Sequence, residues 1–132
     1  LIYEIAEKTK GYEIIATIEE VTGRNGWSAQ NNFNFGYVAG MQEMICIMLN
    51  AKTEMVRPQK WQSFMYKCFD KIMKKSSTGK TMVHDTKATS EKVSKKLAPE
   101  IDFRKTKRSE NIDDNKTDAF LICEYGRRNG EN

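Results

Sequence analysis

The stretch "IIATIEEV" (Ile14–Val21) runs apolar for most of its length and then ends on two adjacent glutamates, Glu19 and Glu20. A strand this apolar belongs to a sheet buried on both faces, as in parallel or mixed sheets covered by helices. A carboxylate at the end of such a strand is costly unless something cationic meets it. Two readings follow. Either the glutamates mark where the strand emerges into water, or one of them points into a metal site at the carboxyl end of the strand, where open α/β sheets keep their ligands. Strand alternation sends neighbouring side chains to opposite faces, so only one of the two can enter such a site.

Working outward, residues 1–10 read as a helix stopped by Gly11, with the strand spanning Glu13–Glu20 and a loop over Val21–Trp27. Ser28 is placed to cap a long helix reaching about Leu49. On it Phe33, Tyr37, Met41, Met44, Ile45 and Met48 fall at helical spacing, which predicts a core stripe. Gly36 and Gly40, four apart, suit close packing against another element. "TEMVR" (Thr53–Arg57) predicts a second strand, and Pro58 opens a helix carrying Trp61, Phe64, Met65, Cys68, Phe69 and Ile72 on one side.

The polar segment 76–89 reads as a flexible, irregular loop. It contains "TGKT" (Thr78–Thr81), but a phosphate-binding loop needs glycine five residues before Gly79, where Lys74 stands. That motif fails. Ser90–Leu97 predicts a short helix stopped by Pro99, "DFRKTKRSE" (Asp102–Glu110) an extended basic stretch, and a last helix runs from near Asp114 to Gly126. This order predicts the α/β class, with a sheet covered by helices in one domain spanning residues 1–132.

The composition narrows the function. Charged residues make up 30% and the apolar set 39%, and no apolar run approaches the roughly 18–20 residues of a spanning helix, so no membrane partner is expected. Cys46, Cys68 and Cys123 lie far apart, which reads as free thiols in a reducing compartment; with His84 as the single histidine, a structural zinc site is not expected. The net charge of +4 hides an asymmetry. Residues 67–108 hold 13 lysines and arginines against five acids, which leaves the rest of the chain net negative. A basic tract of this kind suits a polyanion partner, or is simply a solvated lysine-rich face.

On the last helix Asp114 and Asp118 are four apart and share a face. Asp114 is favoured in the first helical turn. Asp118, next to the apolar run "AFLIC", is harder to excuse. Magnesium would relieve such carboxylates, because it takes a few hard oxygen ligands and completes its shell with water and substrate phosphate.

"ATIEEV", "FNFGYVAG", "VRPQKW" and "DDNKTDAFLICEYGRR" follow in order from about Ile14 to Arg128. Together they resemble the phage branch of the RuvC-type Holliday junction resolvases, crossover junction endodeoxyribonucleases with the ribonuclease H-like fold. The resemblance implies a homodimer that binds a four-way DNA junction and nicks two strands symmetrically with Mg²⁺ or Mn²⁺, in the cytoplasm of a bacterial host. It places Glu19 and Asp118 as metal-binding catalytic residues. For the third, bacterial members carry an acid or histidine where this chain has Asn115, and Asp114 is the nearest carboxylate. The candidate DNA contacts are Arg24, Lys60, Arg104, Lys105, Lys107 and Arg108. The family also begins with an Asp-bearing strand, whereas no aspartate precedes Asp70 here. The expectation is a Mg²⁺-dependent enzyme of this kind in N-terminally truncated form, with activity reduced for want of the first catalytic aspartate. The rival readings are a non-catalytic module for branched DNA and a purely structural dimerisation domain.

Overall fold

The computed structural model describes residues 2–20 and 26–130 and divides into two compact units, residues 1–58 and 59–132. The architecture is α/β. Its described strands form two separate two-stranded sheets rather than a single mixed one.

In the first unit, helix α1 (Ile2–Lys8) precedes strand β1 (Ile15–Glu19), and Gly11 follows the helix at φ +86°, a conformation that favours glycine. Helix α2 (Ala29–Met48) then crosses over to strand β2 (Lys52–Val56), which pairs with β1 in parallel from Ile15↔Lys52 to Glu19↔Val56. This is a strand–helix–strand unit, the connection that parallel pairing requires. Ser28 caps α2 as expected, accepting from the Asn31 N–H at 3.2 Å. Ser28→Ala should cost about 0.5–2 kcal/mol, seen as a lower urea midpoint at unchanged slope; an unchanged midpoint would show that the cap is idle.

The apolar stripe of α2 is not a core. Phe33 is 68% exposed and Met44 62%, with Tyr37, Met41 and Met48 also exposed, and the buried residue on this helix is Cys46. Nor do Gly36 and Gly40 have a close neighbour among the described residues, since a Cβ on either would meet nothing within 4 Å. The reason is dimensional. A 20-residue helix is about 30 Å long, whereas two five-residue strands make a sheet about 17 Å long and only two strands wide. Periodicity dictates which side chains share a face; it does not supply the layer that covers them.

The second unit holds helix α3 (Pro58–Met65), strands β3 (Met73–Lys75) and β4 (Met82–His84), helix α4 (Thr86–Leu97) and helix α5 (Asp114–Gly130). Its core is built from Trp61, Met65, Tyr66, Val93, Ala98, Phe103, Leu121 and Tyr125. Helix α4 packs on α5 through small buried side chains, Ser90 and Ser94 on one helix and Thr117 on the other. Small residues let two helix backbones approach.

Four expectations change here. Helix α3 stops at Met65 instead of running to Ile72: Cys68 is exposed, and the Ile72 N–H donates to Thr89 Oγ1 at 3.1 Å as the chain turns into β3. Segment 76–89 is not irregular. It closes an antiparallel hairpin through Ser76–Gly79, with Gly79 at φ +70°, and then starts α4 at Thr86, four residues before the expected Ser90. The missed start signal is Asp85, which caps α4 by accepting from the Ala88 N–H at 3.3 Å. Helix α5 passes through the buried Gly126 to Gly130, and Glu124 pairs with Arg127 and Arg128 across that glycine. The basic stretch 102–110 is likewise no extended segment. It curls into a loop closed by a bridge between Arg104 and Ile112, anchored by buried Phe103 against the Phe120 ring at 5.4 Å.

Candidate functional site

The two glutamates of the opening strand part company at its end. Glu20 meets a cation: Arg57, just beyond β2, donates from Nε to Glu20 Oε2 at 3.0 Å. The backbone continues the pairing, with the Glu20 N–H on the Val56 carbonyl at 2.7 Å. Glu20 is thus accounted for by an ion pair across strand ends. Glu19, its neighbour on the opposite face, is half-buried at the carboxyl end of β1.

Asp114 and Asp118 lie in the second unit, on the first two turns of α5, facing α4. Lys87 Nζ donates to Asp114 Oδ2 at 2.6 Å. Asp114 chiefly, then the charges of Asp118 and Asp85, raise the Lys87 pKa above its ordinary value. Ser90, one turn further along α4, donates from Oγ to Asp118 Oδ1 at 2.7 Å. Residues three apart on α4 therefore meet residues four apart on α5, as one helical row set against another. Beside them the Ala88 N–H, with the Lys74 ammonium at 3.2 Å, holds the Asp85 carboxyl below its usual range.

Among the described residues no group of three or more His, Cys, Asp or Glu side chains stands close enough to hold a metal ion. The structure joins Asp114 with Asp118; Glu19 belongs to the other unit. The donor set of the aspartate pair nevertheless suits a hard cation. One or two carboxylates are what magnesium ordinarily takes from a protein, and the Lys87 ammonium already occupies the cationic place beside Asp114.

The basic candidates differ among themselves. Arg104 is engaged: its Nε and Nη2 donate to both oxygens of Asp102 at 2.8 Å, and this pairing holds the Asp102 carboxyl well below the usual carboxylate range. Lys105, Lys107 and Arg108 project from the exposed loop that this pair and the Arg104–Ile112 bridge close. Lys60 is exposed on α3, and Arg24 falls outside the described residues.

Sequence reasoning missed Lys87, Ser90 and Tyr66. With α4 expected to begin at Ser90, Lys87 reads as part of a loop. Only the Asp85 cap, followed by an uninterrupted run to Leu97, could have placed Lys87 and Ser90 on one helical face. No helix of the described residues is long and apolar enough to cross a membrane. Neither the models of known protein families, nor the curated proteins, nor the solved structures match the chain.

Proposed function

We propose that the protein is a structure-selective DNA endonuclease of the RuvC type, with a ribonuclease H-like ancestry, that resolves four-way or branched junctions as a homodimer. The observation that carries this reading is the aspartate pair on one face of α5, with Asp118 held by Ser90 and Asp114 half-buried. The motif order from Ile14 to Arg128 supports it, as does the basic loop in the same unit. In this reading Asp114 and Asp118 would hold Mg²⁺ or Mn²⁺; Glu19 is the further catalytic carboxylate that the resemblance names, on the other unit. The ion, when bound, stabilises charge on the attacking and leaving oxygens of the phosphodiester. Lys87 pairs with Asp114 and balances one of the two carboxylate charges, while Ser90 holds Asp118. Lys60, Arg24 and the basic loop hold the DNA arms.

A second reading, a non-catalytic module for branched DNA, is favoured by one observation: Lys87 already neutralises Asp114. Incubation with an end-labelled four-way junction, with and without Mg²⁺, separates the two. Paired symmetric nicks that require the metal support the nuclease; retarded but uncut junction in both lanes supports the module.

The basic loop carries affinity in either case. Neutralising Lys105, Lys107 and Arg108 together should weaken junction binding and flatten the slope of log affinity against log salt by roughly 0.9 per lost phosphate contact. Arg104→Gln should change the slope less, since its guanidinium is committed to Asp102. Equal slopes for parent and triple variant would make this loop a solvated surface.

A further inference from the structure

We infer that Tyr66 and Ser90 are positioning residues for Asp118, forming a buried hydroxyl relay that aims its carboxylate for metal binding; the inference rests on the proposed nuclease site. Tyr66 and Ser90 are both almost wholly inaccessible, and their hydroxyl oxygens stand 2.6 Å apart. Ser90 Oγ in turn lies 2.7 Å from Asp118 Oδ1.

The direction of the relay follows from proton counting. An ionised carboxylate brings no hydrogen, so the Ser90 proton points to Asp118. The hydrogen between the two hydroxyls must then come from Tyr66. The relay runs from Tyr66 OH to Ser90 Oγ to Asp118 Oδ1, and each donor in such a chain is strengthened by the one behind it. A hydroxyl donating to a charged acceptor makes a short, strong bond.

Its far end is fixed. The Tyr66 ring packs edge-on against Trp61 at 6.0 Å and against His84 at 5.7 Å, between a core side chain and the end of β4. His84 is itself held. Thr89 Oγ1 donates its one hydrogen to the Asp85 carbonyl at 2.8 Å, so at 3.0 Å the His84 Nε2 is the donor to Thr89. The single histidine of the chain therefore serves to wedge Tyr66. Two buried hydroxyls arranged behind one carboxylate are more than packing needs, because an apolar pair would fill the same space without requiring partners. Residues behind a metal ligand set its orientation, and their loss typically weakens metal affinity 10–100-fold.

The test uses the whole chain and two readouts: Mn²⁺ binding followed by electron paramagnetic resonance, and the Mg²⁺ concentration that gives half-maximal junction nicking. Tyr66→Phe and Ser90→Ala are compared with the parent and with Asp118→Asn, each checked for a parent-like circular dichroism spectrum. Ser90→Ala should weaken Mn²⁺ binding about 10-fold and raise the Mg²⁺ midpoint equally, while nicking at saturating Mg²⁺ stays near the parent rate. Tyr66→Phe, which removes one oxygen, should shift both in the same direction by less. A merely structural role would instead lower the saturating rate and leave the midpoint in place. Parent-like Mn²⁺ affinity in Ser90→Ala alongside a loss in Asp118→Asn overturns the relay and spares the metal site. Mn²⁺ binding that Asp118→Asn leaves unchanged, or that the parent itself lacks, overturns the metal site and the relay with it.

Discussion

Asp118→Asn is expected to slow junction nicking by about a thousandfold, the rate equivalent of several kcal/mol of lost charge stabilisation at the phosphodiester, while junction binding is retained. The substitution changes charge with almost no change of shape. The amide oxygen that replaces the carboxylate can still accept from Ser90 Oγ, which donates to Asp118 at 2.7 Å. The packing of α4 on α5 through Ser94, Thr117 and Leu121 is untouched. A loss of nicking with intact binding therefore reports on the carboxylate and not on the fold. Glu20→Gln is the matched control: its carboxylate is taken up by Arg57 at the strand end, and nicking should change little. Nicking by Asp118→Asn at a rate close to the parent would remove Asp118 from the metal site. In that case the resemblance would no longer supply a mechanism, and the branched-DNA module would become the better account.

The second large effect is on stability. Trp61 is 0% exposed and is the largest fully buried side chain in the second unit. Trp61→Ala should cost about 3–5 kcal/mol, the usual range for deleting a buried aromatic, against a total stability of roughly 5–15 kcal/mol for a folded domain. The consequences reach the candidate site. Without the indole, the Tyr66 ring loses an edge-on neighbour, and with it part of what aims the relay toward Ser90. Urea unfolding together with hydrogen exchange locates the damage: protection should fall across residues 59–130. Trp61→Phe keeps an aromatic in the same place and should recover part of the loss. A cost below about 1 kcal/mol for Trp61→Ala would mean that the site collapses freely and is not the core of its unit.

What the sequence determined by itself is the structure whose causes lie within a few residues. Ser28 caps the helix it precedes because its hydroxyl needs only the N–H three residues on. Ile15–Glu19 is a strand because its own apolar run demands one, and its parallel partner at Lys52–Val56 lies across a helix, as the spacing requires. Asp114 and Asp118 share a face because helical geometry puts residues four apart together. The hairpin over 73–84 and the true start of α4 were hidden because both rest on short polar pieces, Gly79 at positive φ and the Asp85 cap, set among residues that resemble a loop.

Tertiary structure alone decided the pairings. It set Arg57 against Glu20 across 37 residues of sequence and Lys87 against Asp114 across 27. It also brought Tyr66 and Ser90 behind Asp118. The Met-rich stripe of α2 shows the same division from the other side. Its period was plain in the sequence, yet Phe33, Tyr37 and Met44 face outward. A helical repeat states which side chains travel together, and burial depends on whether another layer of structure is there to meet them.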